Sequence, residues 1–145
     1  MGRENSYYSR GSRKLILTYK GWRICPLICY DLRFPVWSRN KEGYDLLIYV
    51  ANWPASRNHA WNVLLKSRAI ENQCYVAGLN RSGTDGENLN YTGGSVIIDP
   101  LGCTISESTE NREEIITASI DHEILSAYRE KFPVLKDADN FEISD

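Results

Sequence analysis

Short apolar runs of strand length alternate along this chain with one clear helical stripe. Arg13–Thr18 (RKLILT) and Trp22–Cys29 (WRICPLIC) read as two strands, and Tyr19-Lys20-Gly21 between them is a hairpin-length turn containing glycine. Pro35 through about Asn40 reads as a short helix, because proline is tolerated in a first turn, and Gly43 ends it. Asp45–Val50 (DLLIYV) is an apolar run bounded by Gly43 and by Asn52-Trp53-Pro54. From about Asn58 to Gln73, the residues Trp61, Leu64, Leu65 and Ala69 follow i, i+3, i+4 and i+8, which predicts an amphipathic helix. Cys74–Leu79 (CYVAGL) is a further near-continuous apolar strand. Strands that are apolar throughout, alternating with helices, indicate parallel strands covered on at least one face, and hence the α/β class.

The pattern then changes. Arg81–Tyr91 is a loop rich in Gly, Asn and Asp. Gly94–Asp99 (GSVIID) and Glu114–Ile120 (EIITASI) read as strands, separated by the Pro100-Leu101-Gly102 turn and a polar stretch. Asp121 is positioned to cap a helix of roughly His122–Lys131, which Pro133 stops, and the last dozen residues read as an extended tail.

With 145 residues, of which 42% are hydrophobic and 25% charged, the chain can bury the core of one domain. A net charge of -2 excludes a general binder of nucleic acid or of anionic membranes. The longest purely apolar stretches are a few residues, far short of the ~20 that span a bilayer. Met1–Asn5 is polar and carries no apolar signal core, so a cytoplasmic location is expected. Of the four cysteines, Cys25, Cys29 and Cys74 lie in apolar strand-like runs, which predicts reduced thiols rather than disulfides. His59 and His122 have no ligand-like spacing with any of them, so no metal and no cofactor is expected.

Chemistry points first to Cys29. An apolar strand delivers it into the polar turn Tyr30-Asp31-Leu32-Arg33 just before a helix, an arrangement that exposes a nucleophile at a sheet edge. The alternative is a strand cysteine packing as a small hydrophobe, and that is the better reading of Cys25, which no turn follows. A Cys–His hydrolase using His59 is a further alternative, but His59 falls on the polar side of the helical stripe. Asp31 and Arg33 are expected to form a local ion pair that fixes the turn. Trp53 follows a strand end and either lines a pocket or packs in the core. Arg81 is either a surface arginine or a bidentate partner for a substrate carboxylate.

Several of these segments together carry a resemblance. Ile28-Cys29-Tyr30-Asp31-Leu32-Arg33-Phe34-Pro35 resembles the nucleophile segment of the nitrilase superfamily of carbon–nitrogen hydrolases. Ala51-Asn52-Trp53-Pro54, Arg68–Asn72, Gly78–Arg81 and Gly93-Gly94-Ser95 resemble its later segments, in order. The similarity runs from about Glu4 to about Asp139, and Tyr128–Pro133 is closest to the omega-amidase-like members. The resemblance implies the C-terminal half of an α-β-β-α sandwich, so residues 1–145 are expected to form one nitrilase-like domain that is incomplete at its N-terminal side. It also implies homo-oligomers and a small-molecule amide substrate.

By the same resemblance, Cys29 is the nucleophile. As the residue after a nucleophile, Tyr30 is expected to offer its backbone N–H to the oxyanion, and from their own positions Trp53 and Arg81 are candidates for substrate binding. Glu4 matches an accessory glutamate. The family's proton-transferring glutamate and its lysine precede the cysteine, the lysine ahead of where this chain begins. Lys14 and Lys20 do not match that lysine and read as solvated. The implied activity is hydrolysis of an omega-amide of a small dicarboxylic acid, such as 2-oxoglutaramate, to acid and ammonia. The alternative is a non-catalytic fragment or interaction module lacking the lysine. A half-sandwich exposes apolar surface, so the isolated chain is expected to self-associate or be poorly stable.

Overall fold

The computed structural model describes residues 6–9 and 11–142. Its strands are β1 (Leu17–Tyr19), β2 (Trp22–Ile28), β3 (Leu46–Ala51), β4 (Tyr75–Asn80), β5 (Ser82–Thr84), β6 (Asn90–Thr92), β7 (Val96–Ile98) and β8 (Thr104–Glu107). The helices are α1 (Pro35–Ser38), α2 (Asn58–Asn72) and α3 (His122–Lys131). One six-stranded sheet runs in the order β1-β2-β3-β4-β7-β8, and β5 and β6 form a separate two-stranded hairpin. The three continuous apolar runs become the parallel core β2-β3-β4; β1 and β7 flank it antiparallel, and β8 pairs antiparallel with β7. This is a mixed α/β sheet with flanking helices.

The helix α2 covers one face of that core. Its buried residues, Trp61, Leu65, Arg68, Ala69 and Asn72, repeat at helical spacing and pack against Cys25, Leu27, Leu47, Tyr49 and Val76. Gly78 of β4 is required there, because a Cβ would come within 2.5 Å of Leu65 Cδ1 and 2.9 Å of Trp61 Cζ2. The helix ends at Gln73, which takes a left-handed conformation (φ 44°), and the chain turns directly into β4.

At the amino ends of the strands, α3 acts as a clasp. Asp121 caps it by accepting from the Glu123 and Ile124 amides at 2.7 and 3.1 Å, as the sequence predicts. Arg129 then reaches Asp45 Oδ1 (2.7 Å), the Tyr44 carbonyl (2.7 Å) and the Gln73 carbonyl (2.9 Å). Asp45 is buried and also accepts from the Arg23 amide at 3.0 Å.

Three expectations are corrected. Glu114–Ile120 is not a strand: Ile115 is 94% exposed and the segment joins no strand ladder among the described residues, its Glu114 carboxylate accepting instead from the Thr109 amide. The strand lies instead in the preceding polar stretch, where Thr104–Glu107 pairs with β7 at the sheet edge. The loop Arg81–Tyr91 contains the β5–β6 hairpin, closed by Asp85, whose side chain accepts from the Glu87 and Leu89 amides. The first hairpin strand is also shorter than expected, and the chain ahead of it is tied by Lys14, which donates to the Arg39 carbonyl at 2.7 Å and pairs with Glu42 at 2.6 Å. Among the described residues, no helix is long and apolar enough to cross a membrane.

Candidate active site

The register Ile28↔Val50 and Ala51↔Asn80 brings the carboxyl ends of β2, β3 and β4 level, and this is the edge where parallel sheets build sites. Cys29 is the first residue beyond β2 and opens a 3-10 turn over Cys29–Arg33. Its backbone takes φ 40°, a left-handed conformation that costs a residue with a Cβ energy and is found where a side chain is being aimed. The thiol is half-buried, and its Sγ lies 3.9 Å from the Asn52 carbonyl at the end of β3.

The turn is held by bonds that differ from those expected. Asp31 Oδ2 accepts from the Ile28 amide at 2.9 Å, and the Phe34 amide donates to the Asp31 carbonyl at 3.0 Å. Arg33 does not pair with Asp31; its guanidinium lies 4.8 Å over the Trp53 ring. The nearer backbone donor takes the carboxylate, and the aromatic face takes the cation. Tyr30 follows the cysteine, its ring half-exposed and edge-on to Phe34 at 5.2 Å.

Trp53 is packed into the core. The residue is 2% exposed, tilts against Trp61 at 5.5 Å and donates its indole N–H to the Arg57 carbonyl at 2.9 Å. Its backbone is fixed by Asn80, which sequence reasoning left unassigned. Asn80 Oδ1 accepts from the Trp53 amide (2.7 Å), while its Nδ2 donates to the Trp53 carbonyl (3.0 Å) and the Gly93 carbonyl (2.7 Å). The loop after β3, carrying the Asn52 carbonyl that faces Cys29, is thus sutured to the end of β4.

Arg81 is exposed and stacks 4.7 Å over the Tyr91 ring, and Tyr91 donates its hydroxyl to Asp85 Oδ2 at 2.8 Å. The Leu89 amide first, then the Tyr91 hydroxyl and the Glu87 amide, hold the Asp85 carboxyl below its usual range, and the bond to Asp85 raises the Tyr91 hydroxyl. Arg81 also lines a polar cleft of about 380 Å³ with Asn80, Ser95, Ser108 and Arg112. Cys29 does not line that cleft.

The remaining candidates separate. His59 is exposed at the start of α2, as expected, whereas Cys25 is fully buried. Lys14 is tied to Glu42 rather than solvated, and Lys20 is exposed beside Tyr19. Glu4 lies outside the described residues. Asn72 satisfies a buried backbone group, accepting from the Asn40 amide at 2.9 Å. Sequence reasoning missed Arg68, although its position seven residues after Trp61 on the buried stripe was a signal. It is 3% exposed and donates to the Leu32 carbonyl at 2.6 Å and to Glu71 Oε1 at 2.9 Å.

Comparison with known proteins places this geometry. The chain is 50% identical over 143 residues to "Omega-amidase YafV" of Escherichia coli K12, covering 99% of this chain and 56% of that protein. It is 42% identical over 137 residues to the 2-oxoglutaramate amidase of Bacillus subtilis, covering 92% and 52%. Among solved structures, XC1258 of Xanthomonas campestris superposes with a TM-score of 0.93 at 43% identity, covering 98% of this chain and 56% of that one. XC1258 is described as a CN-hydrolase superfamily protein with an arsenic adduct in its active site. The chain spans about half the length of these relatives. The family model for carbon-nitrogen hydrolases matches residues 2–130, nearly the whole chain, and the chain belongs to that family.

Proposed function

We propose that the chain carries the nucleophile of an omega-amidase, a hydrolase of the terminal amide of a small dicarboxylic acid such as 2-oxoglutaramate. The observation that carries this reading is Cys29, held left-handed at the carboxyl end of a central parallel strand with its sulfur at the Asn52 carbonyl. The omega-amidase and 2-oxoglutaramate amidase relatives, matched over nearly all of this chain, support the substrate class.

In the proposed reaction the Cys29 thiolate adds to the amide carbon, forming a C–S bond as the carbonyl electron pair moves onto oxygen. The Tyr30 backbone N–H faces that oxyanion. Collapse expels the nitrogen as ammonia once it is protonated, and water then cleaves the thioester to release the acid and restore the thiol. The resemblance assigns proton transfer to a glutamate and oxyanion stabilisation to a lysine. No residue of this chain matches that glutamate or that lysine, and Glu4 matches the accessory glutamate. Arg81 receives the distal carboxylate, and Trp53 serves the site by seating Arg33.

The order of the motifs supports assigning these residues to the later part of a nitrilase-type domain that is incomplete at its N-terminal side. We further propose that the open apolar face of the sheet mediates association, either with the rest of such a domain or with a second copy, and that the protein works in the cytoplasm. The buried thiols Cys25 and Cys74 suit a reducing compartment.

The test is ammonia release from 2-oxoglutaramate, with Cys29→Ala as control. The proposal expects activity that Cys29→Ala reduces by about a thousandfold or more. Equal release from wild type and variant would rule it out.

A further inference from the structure

We propose that Arg68 is the positioning residue that holds the nucleophile turn in shape from beneath, an inference that rests on reading Cys29 as the nucleophile. Cys29 keeps its left-handed backbone only if both ends of its turn are fixed. The entrance is fixed within the turn, by Asp31 accepting from the Ile28 amide at 2.9 Å. The exit is fixed from another element. Arg68 of α2 donates Nη2 to the Leu32 carbonyl at 2.6 Å, across 36 residues of sequence.

The way Arg68 is buried argues against simple space filling. It is 3% exposed on the apolar stripe of α2, and its Nε is buried with no hydrogen-bond partner among the described residues. Its one carboxylate partner among the described residues, Glu71, is 34% exposed at the side chain. A buried arginine is a costly way to fill a helical stripe, where an apolar side chain packs without the desolvation penalty. A guanidinium adds direction: one prong is held by Glu71 while the other takes a backbone carbonyl that no side chain substitution can replace. Because Leu32 is fully buried, a carbonyl pulled down at that point also seats the turn's apolar anchor in the core.

The experiment is iodoacetamide labelling of the full chain, followed by peptide mass spectrometry. Exposed Cys103 is the internal reference, and fully buried Cys25 and Cys74 report on the fold. Arg68→Met is expected to lower the Cys29-to-Cys103 labelling ratio at least fivefold while Cys25 and Cys74 stay protected. Arg68→Lys, which restores a cation and a single donor, is expected to recover the ratio to within twofold of wild type. A structural role alone would leave the ratio unchanged in a folded Arg68→Met chain, and that result overturns the proposal. If Arg68→Met exposes Cys25 and Cys74, Arg68→Gln is read in the same way. Exposure of both in each variant also overturns it, since Arg68 would then support the whole fold rather than the turn. Labelling requires no turnover, so failure of the amidase assay and failure of this inference are separate results.

Discussion

The two faces of the central sheet are both apolar, yet they are finished very differently. On the covered face, the rows Cys25–Leu47–Val76 and Leu27–Tyr49–Gly78 lie under α2, and every one of those residues is buried. On the opposite face, the rows are Ile24–Leu46–Tyr75, Pro26–Ile48–Ala77 and Ile28–Val50–Leu79. Exposure there climbs from the amino end, where Trp22 and Tyr75 stack 5.8 Å apart under the start of α3, to the carboxyl end. The last row is 71%, 55% and 47% exposed at Ile28, Val50 and Leu79. Adjacent apolar residues at that density make the carboxyl end of this face an exposed apolar patch, the one proposed above to mediate association. Cys29 follows Ile28 directly, so the proposed nucleophile sits at the seam where the finished face meets the open one.

Four measurements sharpen this contrast, taken from the largest expected effect down. Leu65→Ala removes a fully buried contact of the covered face and is expected to cost about 2–5 kcal/mol in urea unfolding. The second is pH dependence. Burial pushes the Cys25 thiol up from 9.0 to about 11, with Lys14 pulling the other way. A raised folded value means that its contribution is complete below pH 9 and is lost as pH climbs through 11. Stability should fall over that window, and Cys25→Ala should flatten the fall by roughly 2–3 kcal/mol.

Third, Gly78→Ala drives a Cβ into Leu65 and Trp61 and is expected to cost about 1–3 kcal/mol. The smallest effect belongs to the open face. Val50→Lys and Leu79→Lys should each change stability by no more than about 0.5 kcal/mol while shifting sedimentation toward monomer. A loss at Val50 as large as that of Leu65→Ala would show that the open face is buried in solution.

The parts that were legible in the sequence are those that local pattern decides. β2, β3 and β4 announce themselves as continuous apolar runs because both of their faces are apolar. Helix α3 was readable to its first residue, since Asp121 caps it through bonds only two and three residues away. Glu114–Ile120 misled because its alternation suits a strand, but a strand needs a neighbour, and β7 takes Thr104–Glu107 instead. At the site, Cys29 was visible from its strand-to-turn position. Arg68 was legible only as a position on the buried stripe of α2; its role and that of Asn80 were not, because their partners at Leu32 and Trp53 lie 36 and 27 residues away in sequence. The expected Asp31–Arg33 pair failed for a related reason: the Trp53 ring that takes Arg33 comes from another strand.

The central claim is that Cys29 is an acyl-accepting nucleophile, and intercepting the acylated chain tests it most directly. The full chain is mixed with 2-oxoglutaramate, quenched in acid within seconds and digested for mass spectrometry. The account predicts an acyl mass on the Cys29 peptide alone, removable by neutral hydroxylamine as a thioester is, and absent in Cys29→Ala. An unmodified Cys29, or a label that appears on exposed Cys103 and survives in Cys29→Ala, would contradict it.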